Sequence, residues 1–174
     1  GDLIRDMRAA GLKVAAAVPT ADYLSEVEEL DITIYPVEMG RTGINPHHDL
    51  KYLLALRKLL RQVRPKAVFC YTIKPVVYGS LAARLAGVPR IYSMVTGLGH
   101  VFTTESRRNL RLQKVVGMLY WLGMKTNRKI FFQNPDDLQE FIDRGMLKDR
   151  NKAVRTYGSG VDMHHFGRAA LPEG

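Results

Sequence analysis

Four polar segments of the chain combine glycine or proline with side chains that can bind a ligand, and each follows an apolar segment. They are residues 41–48 (RTGINPHH), 71–75 (YTIKP), 96–100 (TGLGH) and 158–162 (GSGVD). Glycine lets backbone amides come close to phosphate or sugar hydroxyl groups, while threonine, asparagine, lysine and histidine add hydrogen bonds and charge. This composition indicates a ligand that is rich in hydroxyl groups or carries phosphate.

The signals for other kinds of chemistry are weak. Gly97 and Gly99 form only a G-x-G, which lacks the third glycine and the spacing of a dinucleotide fingerprint. His47 and His48 are adjacent, so their rings diverge, and no metal site is expected. Cys70 lies in an apolar segment and is interpreted as a buried thiol. Because it is the one cysteine of the sequence, an internal disulfide is excluded and a reducing compartment is favoured. No P-loop and no Ser-His-Asp elbow is present.

Helical and strand patterns alternate along the whole chain. Helices are predicted at residues 2–10, 23–29, 50–63, 76–86, 106–125 and 136–144, and strands at 12–18, 32–37, 67–71, 91–95, 129–133 and 153–157. Asp49 is predicted to cap the helix that starts at Leu50. The alternation predicts an α/β fold, a Rossmann-like parallel sheet with helices on both faces. Ligands of such sheets lie at the carboxyl ends of the strands, where the polar segments should open.

Lysine and arginine number 26 against 17 acidic residues, a formal charge of +9, which favours an anionic partner. The predicted helix at 106–125 contains no acid; four basic residues stand near its start, Arg107, Arg108, Arg111 and Lys114. Its centre, residues 115–124 (VVGMLYWLGM), is uncharged and is expected to pack on the sheet. We expect the basic start to contact an anionic membrane surface. Nucleic acid is not favoured, because the aromatic residues are not interleaved with lysines. No apolar segment is long enough to span a bilayer.

Several motifs occur in an order that resembles a known family. They are residues 1–5 (GDLIR), 10–14 (AGLKV), 43–46 (GINP), 64–68 (RPKAV), 71–75 (YTIKP), 78–89 (YGSLAARLAGVP), 96–99 (TGLG), 132–137 (FQNPDD) and 158–162 (GSGVD) with Phe166. The set resembles the N-terminal domain of bacterial retaining glycosyltransferases of family 4, which have the GT-B fold. It is most similar to the branch that adds sugars to polyprenyl-diphosphate-linked oligosaccharides.

The resemblance implies one half of a GT-B fold. Residues 1–157 would be the acceptor-side Rossmann-like domain without the family's first strand, and residues 158–174 a hinge toward a donor-binding domain outside the chain. The implied activity is transfer of a hexosyl or N-acetylhexosaminyl group, with retention, from a nucleotide-sugar to a lipid-linked or polysaccharide acceptor. Neither a metal nor another cofactor is implied. The enzyme would be cytoplasmic and peripheral on the inner face of the plasma membrane, and the chain alone would be inactive.

Site residues follow from the same resemblance. The expected acceptor-binding residues are Gly43, Asn45, Thr72, Lys74, Thr96, Gly97 and Gly99. Many members of the family carry a histidine at the end of the fourth strand, where this chain has Val95 and Thr96. His100, four residues past Thr96, is the candidate catalytic residue; the alternative is a loop histidine without a role in the reaction. Gly158, Ser159 and Gly160 are assigned to the hinge and the donor side.

Two other functions remain open. A nucleotide-sugar epimerase of the GT-B type would lack the basic membrane-facing helix and would need catalytic acids on both domains. A non-enzymatic module that binds nucleotides or anions would not be followed by a domain with the family's paired glutamates.

Overall fold

The structure is a computed structural model, and it describes residues 2–19, 30–40, 45–97, 110–158 and 160, with only the backbone of residues 110–112. The chain divides into two compact units, one that contains residues 1–38 and one that spans residues 39–158. The helices are α1 (Asp2–Ala9), α2 (Pro46–Val63), α3 (Ser80–Leu85), α4 (Leu110–Lys125) and α5 (Pro135–Asp143). The strands are β1 (Ala15–Val18), β2 (Thr33–Pro36), β3 (Val68–Tyr71), β4 (Ile91–Val95), β5 (Lys129–Phe132) and β6 (Ala153–Arg155).

In the first unit, α1 leads into a two-stranded parallel sheet. The helix ends before Gly11, whose φ of 80° is a conformation that glycine adopts without strain. β1 and β2 pair in register from Ala15 opposite Thr33 to Val18 opposite Pro36. Proline has no amide hydrogen to donate to a ladder, so Pro36 ends the strand.

In the second unit, four parallel strands follow one another in the order β3-β4-β5-β6. Val68 pairs with Ile91, Tyr92 with Lys129, and Ile130 with Ala153. Within the described residues the predicted alternation and the parallel pairing are confirmed, while the helix predicted at 23–29 lies outside them. The sequence did not indicate that the described strands would form two separate sheets instead of one.

The core of the second unit lies where α4 and α5 pack on the sheet. The inner face of α4 is buried through Val116, Tyr120 and Met124, which repeat at helical spacing. Tyr120 meets Phe141 of α5 edge to face, with ring centroids 5.0 Å apart. The central part of the predicted basic helix therefore packs on the protein, as expected. Among the described residues, no helix combines the length and the apolar character needed to cross a bilayer.

The helix after β3 differs from the regular helix predicted at 76–86. It begins with a π-helical turn, Pro75–Gly79, and continues as α3. Two glycines allow a close approach there. A Cβ on Gly79 would lie 3.0 Å from Cys70 Sγ, and a Cβ on Gly123 of α4 would lie 3.0 Å from the carbonyl oxygen of Val76. β3 and α4 therefore pack closely against this turn.

The start of α2 also differs from the prediction. The N-cap is Asn45, whose side-chain oxygen accepts hydrogen bonds from the backbone N–H groups of His47 and His48. Pro46 occupies the first helical position, where its fixed φ suits a helix start and its missing N–H costs nothing. The prediction that Asp49 caps the helix is therefore wrong, and Asp49 is free to take another role inside the first turn.

Candidate functional site

The second unit brings the ends of neighbouring strands to one edge of the sheet. Tyr71 and Met94 are register partners, as are Val95 and Phe132, so the chain leaves β3 and β4 at the same edge with Thr72 and Thr96. β6 ends at that edge as well, where the N–H of Thr156 donates to the carbonyl of Phe132 at 2.8 Å. Parallel strands dictate this arrangement, and it places Thr72, Thr96 and Thr156 on a common side.

Thr72 has an unusual backbone conformation at this edge. Its φ is +73°, in the left-handed region that a β-branched residue rarely adopts, and its carbonyl accepts a hydrogen bond from the N–H of Val76 at 2.9 Å. Such a conformation costs about 1–3 kcal/mol and is held by the surrounding structure. Thr72 thus lies where the chain passes from β3 to Lys74, the residue that precedes the π-helical turn.

A polar cluster lies beside this turn and links it to α2. Lys74 Nζ donates to Asp49 Oδ1 at 2.8 Å, and Tyr78 Oη donates to Asp49 Oδ2 at 3.0 Å. The side chains of Lys74 and Asp49 are only 14% and 4% exposed. Both carboxylate oxygens therefore have a partner, as a buried charge requires. Lys74 is therefore a paired and largely buried lysine, and its contact with phosphate stays a prediction.

Two tyrosines support the cluster. The rings of Tyr52 and Tyr78 meet edge to face, with centroids 6.5 Å apart. Burial, and then the negative charge of Asp49, raise the pKa of Tyr78, so its hydroxyl stays protonated and donates to the carboxylate. Burial raises the pKa of Tyr52 to about 12. Sequence reasoning missed this cluster, although Lys74 and Tyr78 stand four residues apart, a spacing that places them on one helix face.

A second polar group is buried beneath the candidate edge. The hydroxyls of Ser80 and Ser93 lie 3.1 Å apart, and Asn127 Nδ2 donates to Ser93 Oγ. Burial raises the pKa of the Cys70 thiol to about 11, although hydrogen bonds with Ser80 and Ser93 oppose the shift. This network joins α3, β4 and the segment between α4 and β5.

The remaining site predictions divide between described and undescribed residues. Asn45 uses its side-chain oxygen as the α2 cap, while Gly97 and Gly158 have positive φ values of 145° and 87°. Gly160, which belongs to the first unit, also has a positive φ, 77°. Lys114 is exposed on α4, and Arg111 is described only as part of that helix. The other predicted positions lie outside the described residues: Gly43, Gly99, His100, Arg107, Arg108 and Ser159.

The described residues contain no group of three or more histidine, cysteine or acidic side chains that could hold a metal ion. His47 and His48 are exposed, and their rings are inclined by 76° with centroids 6.2 Å apart. The two rings therefore meet edge to face instead of diverging as the sequence predicted.

A family model described as glycosyl transferase 4-like matches residues 2–134. The chain is 30% identical over 152 residues to the UDP-Gal:alpha-D-GlcNAc-diphosphoundecaprenol alpha-1,3-galactosyltransferase of Escherichia coli. The aligned region covers 87% of this chain and 36% of that enzyme. It is 23% identical over 146 residues to the N,N'-diacetylbacillosaminyl-diphospho-undecaprenol alpha-1,3-N-acetylgalactosaminyltransferase of Campylobacter jejuni, covering 84% of this chain and 39% of that enzyme. The chain thus spans well under half the length of either relative.

Two solved structures share the fold. The crystal structure of MurG from Acinetobacter baumannii superposes with a TM-score of 0.59 at 16% identity, covering 94% of this chain and 42% of that one. A glycosyltransferase from Rickettsia africae gives a TM-score of 0.56 at 14% identity, covering 95% and 40%. These likenesses confirm the predicted α/β fold class, the Rossmann-like half of a GT-B architecture.

Proposed function

Because the chain belongs to the glycosyl transferase 4-like family, we propose that it is the acceptor-side domain of an enzyme that transfers a sugar to a lipid-linked acceptor. The observation that carries the proposal is shared by the two relatives, whose names both specify an acceptor on diphospho-undecaprenol. The donor is a nucleotide-sugar, the transferred group is a hexosyl or N-acetylhexosaminyl group, and its anomeric configuration is retained. A donor-binding domain, reached through Gly158, Ser159 and Gly160, completes the enzyme.

The edge formed by β3 and β4 supports the proposed acceptor site. The hydroxyls of Thr72 and Thr96 and the backbone at Gly97 offer hydrogen bonds to sugar hydroxyls. The amide nitrogen of Asn45 stays available, because only its oxygen is used by the helix cap. The Lys74 ammonium has three donors, of which Asp49 takes one, so a phosphate oxygen can take another. Gly43 and Gly99 are proposed to complete the site.

His100 is the proposed catalytic residue. It follows β4 by five residues, on the segment that leaves the candidate edge. With an unperturbed pKa near 6.5, a histidine can orient a hydroxyl or exchange a proton near neutral pH. We propose that no metal is needed, because helix N-termini and basic side chains can neutralise the departing nucleoside diphosphate.

The proposed location is the cytoplasmic face of the plasma membrane, where a lipid-linked acceptor is presented. The enzyme would be held there peripherally, and the excess of basic residues supports attraction to anionic lipid. Arg107, Arg108, Arg111 and Lys114 are the proposed contacts at the start of the basic helix.

The full-length enzyme tests the proposal. It should transfer sugar from one member of a nucleotide-sugar panel to a diphosphopolyprenyl-linked acceptor, with activity retained in EDTA and with the donor's anomeric configuration kept in the product. His100→Ala should lower kcat or raise the acceptor KM while donor affinity and Tm stay unchanged; the control is His47→Ala, an exposed histidine on α2. Donor epimerisation without an acceptor, or nucleotide binding with no turnover, would overturn the proposed function.

A further inference from the structure

The ion pair of Lys74 with Asp49 carries no net charge. The Lys74 ammonium lies 2.8 Å from one carboxylate oxygen, and the hydroxyl of Tyr78 donates to the other oxygen at 3.0 Å. The side chains of both charged residues are largely buried, so dissolved salt screens the pair only weakly. Lys74 therefore offers hydrogen-bond donors to a ligand without the excess positive charge of an unpaired lysine.

The ammonium can be reached from the side of Gly40. A Cβ on Gly40 would lie 3.5 Å from Lys74 Nζ, and Gly40 itself is exposed. Glycine thus leaves open a space beside the ammonium that a side chain would fill. Because Lys74 has three N–H donors and Asp49 accepts one, a ligand atom in this space can accept another.

The other side chains at this edge of the sheet are neutral. Among the described residues with which the chain leaves β3 and β4, 71–74 and 95–97, Lys74 is the one cation. Tyr71 and Ile73 are 45% and 39% exposed, and two threonines stand beside them. Phosphate sites draw on fixed positive charge and oriented N–H groups. Exposed apolar side chains next to hydroxyl groups suit a sugar ring better, because the ring offers C–H faces as well as hydroxyl groups.

The buried carboxylate distinguishes two kinds of acceptor atom. A ligand oxygen that is bonded to Lys74 Nζ lies within about 6 Å of the Asp49 oxygen on the same ammonium, which is twice the length of a hydrogen bond. A phosphate oxygen at that distance is repelled by the carboxylate, whereas a hydroxyl oxygen carries no charge to repel. A phosphate oxygen can reach the ammonium, but the balance of charge favours a hydroxyl group.

We infer that Lys74, held by Asp49 and Tyr78, recognises a hydroxyl group of the acceptor sugar. Lys74 Nζ donates to the oxygen of this hydroxyl from the side of Gly40. It is not the hydroxyl that receives the transferred sugar, because an ammonium would hold the electron pair with which that oxygen attacks the donor. The inference rests on the proposed function, and it makes Lys74 a residue that selects the acceptor sugar.

Acceptors that lack single hydroxyl groups test the inference in the full-length enzyme. Each hydroxyl except the reacting one is replaced by hydrogen in a diphosphopolyprenyl-linked acceptor, and kcat/KM is measured. With the wild type, one of these deoxy acceptors should lose roughly 10- to 100-fold, the value of a hydrogen bond to a charged group. The variant with Lys74→Met and Asp49→Leu, which leaves no isolated charge, should use that deoxy acceptor as well as it uses the complete one.

An acceptor with a neutral alkyl linker in place of the diphosphate separates the hydroxyl from the phosphate. The double variant should lose as much activity relative to the wild type on this acceptor as on the complete one. If the loss disappears with the neutral linker and persists with every deoxy acceptor, Lys74 binds phosphate and the inference is wrong. An equal loss on all acceptors shows that Lys74 does not contact the acceptor, which also overturns the inference.

Gly40→Ala is a second variant, and it keeps the ion pair. Its methyl group would meet Lys74 Nζ at an ordinary contact distance, so Tm should not change, whereas the acceptor KM should rise several-fold. The rise should be much smaller with the deoxy acceptor that the wild type uses poorly. The matched control is Gly117→Ala, which meets Met146 at 3.7 Å on α4 and should leave the acceptor KM unchanged. An unchanged KM for Gly40→Ala overturns the proposed direction of approach.

The same measurements separate this inference from the proposed function. Absence of transfer by the wild type to every acceptor refutes the proposed function and the inference with it. Transfer in which the effect of Lys74 depends on no hydroxyl group refutes the inference alone.

Discussion

Lys74 and Asp49 form a nearly buried ion pair, 2.8 Å from nitrogen to oxygen, between the turn after β3 and the first turn of α2. The residues are 25 positions apart in the chain. The pair therefore links the segment that follows β3 to the N-terminus of α2. Tyr78 completes it by donating to the second carboxylate oxygen.

Breaking this pair from one side should destabilise the protein strongly. Lys74→Met leaves Asp49 charged and buried, so the free energy of unfolding should fall by about 3–5 kcal/mol in urea titrations. Lys74→Met combined with Asp49→Leu should recover much of the loss, because no isolated charge remains. Arg5→Ala, which breaks an exposed pair with Asp2, should cost less than about 1 kcal/mol. Equal losses for the buried and the exposed pair would contradict this account.

The left-handed conformation of Thr72 should lower the stability of the protein and at the same time support acceptor binding. Thr72→Gly should raise the free energy of unfolding by about 1 kcal/mol, since glycine adopts this φ without strain. In the full-length enzyme the same change should raise the acceptor KM. Arg64→Gly is the matched control: Arg64 is also left-handed, with φ 49°, but it caps α2 at the other end. A stabilised Thr72→Gly enzyme with unaltered acceptor kinetics would show that the strain has no role in binding.

Two glycines of α4 should respond in opposite ways to alanine. Gly123→Ala places a Cβ 3.0 Å from backbone atoms of Val76 and Val77, and should destabilise the protein by about 1–3 kcal/mol. Gly117→Ala meets only the Met146 side chain, at 3.7 Å, and should stabilise it by up to about 1 kcal/mol through helix propensity. Thermal unfolding of the two variants compares them directly, and a neutral Gly123→Ala would mean that α4 can shift away from the π-helical turn.

Ionisation of Cys70 should weaken the fold at alkaline pH. Burial raises the thiol pKa from 9.0 to about 11, so the folded state holds its proton more tightly than the unfolded state does. This contribution is complete below pH 9 and is lost as the pH rises toward 11. Cys70→Ala should therefore lose less unfolding free energy than the wild type between these two pH values, by about 3 kcal/mol at most. An iodoacetamide reaction at neutral pH as fast as that of an unfolded control would show that the thiol is not buried.

The sequence predicted the parts of the fold that depend on local pattern. Alternating strands and helices imply parallel pairing, and parallel pairing places Thr72 and Thr96 at one edge. The role of Asp49 could not be predicted in this way, because its partner Lys74 comes from a distant segment and the local pattern favoured a cap. The π-helical turn was also missed, since it depends on how closely Gly79 and Gly123 let other segments approach.

That turn has a consequence for how this sequence can change by insertion and deletion. A π-helical turn accommodates one residue more than the α-helical turn it replaces, and each residue of an α-helix rotates the chain by about 100°. Removing a single residue between Pro75 and Gly79 would convert the segment to a regular helix and rotate Lys74 away from Asp49 while leaving α3 in place. The direction of the Lys74 side chain thus depends on the length of this segment as much as on its composition. A one-codon deletion there would turn the side chain away from Asp49, whereas most point substitutions would leave its direction unchanged.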